Sequence, residues 1–319
     1  MSKLRLTIAT TDYDHFRDFR LGTVQAEGID TVWSMLGHHE IFARMTFNRE
    51  WDASELSFAK FCAQVTRKDS DLIGLPVVCS RLFRFSSFYV NKKSKIRTAK
   101  DLKGKKIGSP EWAHTAAVYM RGWMHNECGV KLQDVHWFQA GANDAGRIEK
   151  VELSLPAGVQ LTRVSDKSLS EMLASGEIAA AIGVEIDSPD VKPLIADPLE
   201  AGLAALKSRG HYPINHTVVI KDDLIAARPG LAADVFDAFA RSKALYLEKL
   251  KAGQIEKMTE TDKMHLRVME TLADPLPYHI EPNRKTLETL VGHAFAQGII
   301  TKKYAVEELF AKGTHGLVG

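Results

Sequence analysis

Two arginines, Arg81 and Arg84, lie three positions apart at the end of an apolar segment that is typical of a buried strand. A guanidinium group binds a carboxylate through two parallel hydrogen bonds, so two such groups within reach of one ligand could hold a dicarboxylate. The alternative is that both are surface arginines that flank a hinge. We favour the carboxylate-binding interpretation for the pair.

A second candidate anion site lies in the segment 108–122, where a short predicted strand leads through a polar loop into a predicted helix. The first backbone N–H groups of a helix have no partner inside the helix, and together with the helix dipole they attract anions. Thr115 could cap this helix or bind the ligand. The local pattern alone favours simple helix capping, with Pro110 in the first turn.

Polar residues also follow the first predicted strand, which spans residues 4–10. In open α/β sheets, ligands bind beyond the carboxyl ends of the strands. The candidate ligand-binding residues here are therefore Asp12, Tyr13, Asp14 and Arg17. The alternative interpretation is an acidic turn beside a solvated arginine, Arg17.

Histidines are candidates for proton transfer or metal binding. His216 lies in a predicted strand, where a lone histidine is more often a core residue, yet its reference pKa near neutrality suits proton transfer. The run His38, His39, Glu40 suggests a metal site. Neighbours in an extended segment point to opposite faces, however, and helical metal-binding pairs are usually four residues apart. We therefore favour a solvated loop or a helix cap for this run.

Glu55 lies where the local pattern predicts a helix start. Ser54 is the expected N-cap, Ser57 belongs to the expected first turn, and an amphipathic run from Phe58 to Val65 follows. On this pattern Glu55 is an ordinary first-turn residue.

The 319-residue chain is long enough for two domains, and its 45% hydrophobic and 26% charged residues are ordinary globular values. A net charge of +2, from 42 basic and 40 acidic residues, gives no reason to expect nucleic acid or a membrane as partner. Three cysteines without paired spacing predict neither a disulfide framework nor a structural zinc site. Charged residues within the first nine positions do not fit a secretion signal, so we expect a cytoplasmic protein.

Predicted strands alternate with predicted helices over much of the chain, which indicates an α/β protein with βαβ units and mostly parallel sheets. Arg147 follows the predicted strand 135–140 in a glycine-containing loop, from which it could reach a ligand. The last third is predicted to be largely helical, in segments 231–251, 262–273, 284–297 and 303–309. The sequence contains no P-loop, dinucleotide-binding glycine signature or nucleophile elbow.

Taken together, several motifs resemble the 4,5-dihydroxyphthalate decarboxylase family, whose members have a type II periplasmic-binding-protein-like fold. The resemblance is specific as a set and covers nearly the whole chain. Besides the segment 101–122, the matching motifs are Ile8-Ala9-Thr10-Thr11-Asp12-Tyr13-Asp14, Ser80-Arg81-Leu82-Phe83-Arg84, Pro213-Ile214-Asn215-His216-Thr217 and Asp274-Pro275-Leu276-Pro277-Tyr278.

The resemblance implies two α/β domains joined by a two-strand hinge, with the ligand in the interdomain cleft. Domain I would comprise residues 1–88 and 217–319, and domain II residues 89–216. Closure of the two domains would exclude water from the ligand.

The activity that the resemblance implies is that of a carboxy-lyase in phthalate degradation, which converts 4,5-dihydroxyphthalate to 3,4-dihydroxybenzoate (protocatechuate) and CO2 without oxidation. The retained carboxylate would be held by Arg81, Arg84 and the helix start at Thr115. The candidate proton donors are, in order, His216, His114 and Glu55, the last because the family has an acidic residue there. A nearby acid such as Glu111, or an apolar wall, would destabilise the departing carboxylate. The other candidate substrate-binding residues are Asp12, Tyr13 and Arg147.

Two alternatives stay open on the sequence. One is a substrate-binding protein for an aromatic or small carboxylate that performs no chemistry. The other is an enzyme of the same fold that acts on another hydroxylated aromatic acid. No cofactor is expected, although a divalent metal is not excluded. The expected partner is a small aromatic carboxylate, and the apolar terminal helices serve either the core or the subunit contact of a homo-oligomer.

Overall fold

A computed structural model describes residues 3–319, so that Met1 and Ser2 lie outside the described residues. The chain forms two compact units. Unit 1 consists of the residues up to Arg81, Ile214–Glu288 and Tyr304–Gly319, and unit 2 consists of Leu82–Pro213 and Thr289–Lys303.

The strands of residues 3–319 fall into two sheets, one in each unit, and are numbered in chain order. They are β1 (Leu4–Thr10), β2 (Ile29–Met35), β3 (Ala53–Ser57), β4 (Leu72–Arg81), β5 (Phe88–Asn91), β6 (Lys106–Ser109), β7 (His136–Gly141), β8 (Gln160–Ser168), β9 (Ala180–Ile182), β10 (Val191–Pro193) and β11 (Ile214–Lys221).

The α-helices of the same residues are also numbered in chain order. They are α1 (Arg17–Arg20), α2 (His38–Asn48), α3 (Phe58–Val65), α4 (Thr115–Cys128), α5 (Leu169–Ser175), α6 (Pro198–Arg209), α7 (Asp222–Ala227), α8 (Leu231–Lys251), α9 (Glu260–Met269) and α10 (Arg284–Ala296). None of these helices is long and apolar enough to cross a membrane.

Unit 1 is built on a five-stranded sheet with the strand order β2-β1-β3-β11-β4. β1 runs parallel to β2 and β3, whereas β11 is antiparallel to both β3 and β4. Helix α2 packs on β1 and β3, and α3 packs on β3, β4 and β11. The sheet therefore places the end of β1 and the central residues of β3 and β11 side by side.

The long helix α8 packs one face against the core of unit 1. Its buried residues recur every three or four positions, as expected for a helix with one face against a core. Phe239 of this helix makes edge-to-face contacts with Phe16, Phe19 and Trp33. Such aromatic pairs add to the burial of apolar surface that holds the helix against the sheet.

Unit 2 is built on a six-stranded sheet with the strand order β10-β5-β9-β6-β7-β8. The strands β9, β6, β7 and β8 run parallel to one another, and β5 is antiparallel to both β9 and β10. Gly108 of β6 lets α5 approach closely, because a Cβ atom there would lie 2.5 Å from Cδ2 of Leu169. The mostly parallel character of this sheet agrees with the predicted α/β class.

Residues 289–303 belong to unit 2, although the sequence analysis assigns them to domain I. Gln297 explains this placement, because its backbone oxygen accepts a hydrogen bond from Nε1 of Trp112 at 2.7 Å and its Nε2 donates to the Val118 carbonyl at 2.8 Å. Its Oε1 also accepts from Nε of the buried Arg121 at 2.7 Å. Side-chain hydrogen bonds between distant segments, which no local pattern encodes, thus hold this segment in unit 2.

Two local predictions are wrong. The predicted helix start at Ser54 is the strand β3, and helix α3 begins only after Ser57, because the residues of β3 pair with β1 and β11. The predicted helix 303–309 is only a short 3-10 turn, Val306–Leu309. In the first case tertiary strand pairing overrides a local capping pattern.

Candidate active site

Glu55 lies in the middle of β3 and its side chain is fully buried (0% exposed). Its Oε2 accepts a hydrogen bond from the backbone N–H of Thr11 at 2.6 Å, and its Oε1 accepts one from the Tyr13 hydroxyl at 3.2 Å. Nδ1 of His216 lies 3.0 Å from Oε1 of the same carboxylate. The structure therefore brings together three of the predicted site residues, Tyr13, Glu55 and His216.

Strand pairing explains this arrangement. β1 runs parallel to β3, with Ala9 opposite Ser54, so the residues just after β1 reach the side chain of Glu55. β11 runs antiparallel to β3, with Val218 opposite Glu55. His216 stands two positions from Val218 and therefore on the same face of the sheet, diagonal to Glu55.

The electrostatics of the cluster favour an ionised Glu55. Burial opposes ionisation of the carboxyl, but the hydrogen bonds from His216 and Thr11 more than offset it, and the pKa of Glu55 lies below its ordinary value. Burial raises the pKa of the Tyr13 hydroxyl well above its ordinary value, and the charge of Glu55 raises it further. Tyr13 is therefore a neutral hydrogen-bond donor to a charged Glu55.

Helix α2 covers one side of His216 with residues that sequence reasoning missed as site residues. The ring of Phe42 meets the His216 ring edge-on with centroids 4.9 Å apart, and the exposed His38 ring lies 5.7 Å from it. His38 and His39 form the first turn of α2, with Gly37 as N-cap, where the sequence analysis favoured a loop or a cap. The four-residue spacing of His38 and Phe42 was the available signal, because it puts both on one helical face.

A buried, uncharged histidine lies close to this cluster. Nε2 of His15 lies 3.0 Å from the Cys79 carbonyl oxygen, and its Nδ1 lies 2.5 Å from the Tyr278 hydroxyl. Because the carbonyl can only accept, Nε2 carries the proton and Nδ1 accepts from Tyr278. Burial lowers the pKa of His15 to about 3, so this histidine is neutral. Its ring packs against the Tyr13 ring, with centroids 5.3 Å apart.

Two further predicted residues lie elsewhere in unit 1. Arg81, at the end of β4, is almost fully buried, and its Nη1 donates to Oδ1 of Asn283 at 2.9 Å. Asp12 is exposed and pairs with Arg20 at 3.3 Å. Since Arg84 belongs to unit 2, the two predicted carboxylate-binding arginines lie in different units.

In unit 2 the predicted residues Glu111 and Arg147 pair with each other. Nε of Arg147 lies 2.6 Å from Oε1 of the fully buried Glu111, and Nζ of Lys150 lies 2.9 Å from the same oxygen. Glu149, which sequence reasoning missed, accepts a hydrogen bond from the backbone N–H of Trp112 at 2.5 Å. A carboxylate of the protein itself thus occupies part of the turn before α4.

Three other predicted residues are also in unit 2. Thr115 is the buried first residue of α4, and His114 is its N-cap. The His114 ring packs against Gly183, which has a φ of 78°, and a Cβ atom there would lie 2.4 Å from Cε1 of His114. Arg84 opens a 3-10 turn and lines a small pocket with Phe83, Tyr119 and Trp123.

No group of three or more His, Cys, Asp or Glu side chains among residues 3–319 is arranged to hold a metal ion. Glu55, Tyr13 and His216 instead form an acid–base cluster: one ionised carboxylate, one neutral phenol and one imidazole. Such a cluster can hold and deliver a proton.

Solved structures define the class of fold. The chain is similar to the alkanesulfonate-binding protein SsuA from Xanthomonas axonopodis pv. citri, bound to MOPS, with a TM-score of 0.52, 13% identity and 98% of each chain covered. It is also similar to the Candida albicans CA3427 gene product, described as having the generic periplasmic binding protein structural fold, with a TM-score of 0.51 and 16% identity over 100% of this chain and 99% of that one. The predicted periplasmic-binding-protein-like fold is confirmed.

Sequence relatives define the family. A 4,5-dihydroxyphthalate decarboxylase of Comamonas testosteroni is 35% identical over 320 residues, which cover 97% of each chain. A protein of the same description from Pseudomonas putida is 38% identical over 205 residues, which cover 62% of this chain and 80% of the relative. No protein-family model matches the chain. The chain belongs to the 4,5-dihydroxyphthalate decarboxylase family, as its motifs predict.

Proposed function

We propose that this protein is a carboxy-lyase of phthalate degradation that converts 4,5-dihydroxyphthalate to 3,4-dihydroxybenzoate and CO2. A relative of that description, from Comamonas testosteroni, matches over 97% of the chain. The structural observation that carries the proposal is the contact between His216 and the buried, ionised Glu55, 3.0 Å apart. A carboxylate in that position orients the imidazole, a group that commonly serves as the general acid that this reaction needs.

The reaction consumes one proton. The ring carbon that carries the departing carboxylate gains a proton, the carbon–carboxyl bond breaks, and its electron pair returns to the ring as CO2 leaves. Each carboxylate of 4,5-dihydroxyphthalate is para to a ring hydroxyl, so loss of that hydroxyl proton would raise the electron density at the carbon to be protonated.

His216 is the proposed donor of this proton. Its Nδ1 faces Glu55, so its other ring nitrogen, Nε2, is the one that would deliver the proton. His114 remains the second candidate. Glu55 is better suited to orienting His216 than to donating, because a carboxyl with a lowered pKa is already ionised near neutral pH and carries no proton to donate.

The retained carboxylate is proposed to bind Arg81, Arg84 and the start of α4 at Thr115. Support for this part is the suitability of guanidinium groups and helix N-termini for carboxylates. The sequence suggested that Glu111 destabilises the departing carboxylate. Arg147 and Lys150 offset its charge, however, so Glu111 is poorly suited to repel that carboxylate. We propose instead that this ion-pair cluster orders the loop that carries Arg147.

The test is to incubate the purified protein with 4,5-dihydroxyphthalate, with and without a chelator, and to follow substrate loss and formation of 3,4-dihydroxybenzoate by chromatography. Product formation that survives chelation supports the acid mechanism at His216. Activity that chelation abolishes and added divalent metal restores would replace this mechanism by a metal-assisted one.

A saturable rise in melting temperature without any product would contradict the proposal and establish a non-catalytic binding protein. Turnover of another hydroxylated aromatic acid in preference to 4,5-dihydroxyphthalate would correct the substrate. We also propose that the protein acts in the cytoplasm, which cell fractionation would test.

A further inference from the structure

Asn215 occupies an irregular position directly before His216. In the ladder between β11 and β4, Ile214 is opposite Arg81 and His216 is opposite Ser80, so Asn215 is an additional residue without a partner. Such β-bulges are frequent beside active sites, where they redirect a side chain. The strict alternation that would send neighbouring side chains to opposite faces of a sheet is relaxed at this point.

The Asn215 side chain is fully buried, yet neither its Oδ1 nor its Nδ2 has a hydrogen-bond partner among residues 3–319. An unsatisfied buried polar group destabilises the fold, and native proteins rarely retain one without a reason. Here both ends of one amide are unsatisfied, one residue from the proposed proton donor. Thr217, two positions further along β11, is also buried, but its single hydroxyl hydrogen has acceptors in the Leu75 and Val77 carbonyls, at 3.1 and 3.0 Å.

We propose that the Asn215 amide recognises the two adjacent ring hydroxyls of the substrate, an inference that rests on the proposed function. One hydroxyl would donate to Oδ1 while the other accepts from Nδ2, so that both ends of the amide are satisfied at once. A carboxylate could satisfy only Nδ2, because it has no hydrogen to offer Oδ1. Asn215 is therefore a specificity-determining residue for a vicinal dihydroxy ring.

The consequence is selection against rings that lack the hydroxyls. A site built to bond a substrate hydroxyl rejects the analogue without it, because the buried polar groups of the protein then stay unpaired. The pair 3,4-dihydroxybenzoate and benzoate isolates this effect, since the two differ only in their hydroxyls. The wild-type protein should bind the dihydroxy compound more tightly.

The experiment compares the wild-type protein with Asn215→Leu, a variant of similar volume without an amide. Titration calorimetry gives Kd for 3,4-dihydroxybenzoate and for benzoate, and initial rates give KM for 4,5-dihydroxyphthalate. In Asn215→Leu, Kd for the dihydroxy compound and KM should rise roughly tenfold or more, while Kd for benzoate should change less than about twofold. The melting temperature of the ligand-free variant should be unchanged or higher, because a buried unsatisfied group has been removed.

Thr217→Val is the matched control, since it removes a buried polar group with satisfied hydrogen bonds from the same strand. This variant should lower the melting temperature. It should leave the ratio of Kd for benzoate to Kd for 3,4-dihydroxybenzoate unchanged. Asn215→Ala, which removes both the donor and the acceptor of the amide, provides a second test should the leucine variant not fold, and it too should reduce the preference for the dihydroxy compound.

Equal loss of affinity for both compounds, an unchanged ratio in the Asn215 variants, or a wild-type protein that does not distinguish the two compounds would each overturn the assignment. The binding ratio does not depend on turnover. Failure of the wild-type protein to decarboxylate 4,5-dihydroxyphthalate would therefore count against the proposed function alone.

Discussion

Nδ1 of His216 lies 3.0 Å from Oε1 of Glu55, and the two residues come from neighbouring antiparallel strands, β11 and β3. They are 161 positions apart in the sequence, as the numbers 55 and 216 show. The contact joins a buried carboxylate to an imidazole that is 16% exposed, so one end of the pair is fixed in the core and the other can reach a ligand.

Replacement of His216 by asparagine should remove the proton donor. We expect kcat to fall roughly 10²- to 10⁴-fold, the usual contribution of a positioned acid, with little change in melting temperature. Initial-rate kinetics with 4,5-dihydroxyphthalate measure the effect. His125→Asn, an exposed histidine in the last turn of α4, should behave as wild type. Full turnover by His216→Asn would end its assignment as the acid.

The variant Glu55→Gln keeps the shape of the side chain but removes its charge. His216 then loses the ionised partner that lies 3.0 Å from its Nδ1, so kcat should fall roughly tenfold or more. Initial-rate kinetics with 4,5-dihydroxyphthalate measure the effect. Unchanged kcat in Glu55→Gln would show that the charge of Glu55 has no part in the reaction.

The two arginines should respond differently to alanine. Arg84 is half-buried, so Arg84→Ala should raise KM roughly tenfold with little effect on folding. Arg81→Ala also removes a donor from the buried Asn283, and it should lower the free energy of unfolding by about 1–3 kcal/mol in addition to raising KM. Kinetics and urea unfolding separate the two effects. Unchanged affinity in both variants would show that neither arginine holds the retained carboxylate.

His38 is exposed and its ring lies 5.7 Å from that of His216, which places a solvent-accessible imidazole beside the proposed donor. The donor must regain one proton in every turnover. If His38 passes on that proton, His38→Asn should reduce kcat, and added imidazole buffer should restore part of it. His39→Asn, the adjacent position in the same helical turn, is the control. Equal behaviour of both variants without buffer rescue would argue against this route.

The buried His15 should make stability depend on pH. Its folded pKa of about 3 is lower than the ordinary value of 6.5, so between these pH values the unfolded chain binds a proton that the folded protein does not. The contribution of neutral His15 to the free energy of unfolding is therefore fully present above pH 6.5. It decreases as pH falls towards 3, by up to about 1.4 kcal/mol per pH unit for one histidine. The lowered pKa of Glu55 acts in the same direction.

His15→Gln keeps a donor for Cys79 and an acceptor for Tyr278 but cannot be protonated in this range. Urea unfolding at several pH values between 4 and 7 should therefore show a smaller slope for the variant than for the wild type. His265 and His293, whose pKa values burial lowers to about 4, should maintain a residual slope in both proteins. Identical slopes would mean that His15 is not neutral in the folded state.

Much of the architecture was accessible from the sequence. Residues 4–10 and 231–251 form a strand and a helix with the predicted bounds, because their hydrophobic patterns are long and regular. The dispersed motifs that contain Asp12, Arg81 and His216 indicated the family, which the relatives confirm. The predicted roles of the individual site residues stay predictions until the variants are measured.

The environment of each site residue depended on the tertiary structure. The local sequence pattern predicts Glu55 in the first turn of a helix. Pairing of β3 with β1 and β11 instead makes it a buried strand residue beside His216. His38 joins this cluster only because α2 packs on β1 and β3, and Glu111 is neutralised only because a loop brings Arg147 and Lys150 to it. Composition and periodicity determine which segments form strands and helices and which faces are buried. Hydrogen bonding, charge and solvent exposure at each site depend on contacts between residues far apart in the chain, and these exist only after the strands have paired and the helices have packed.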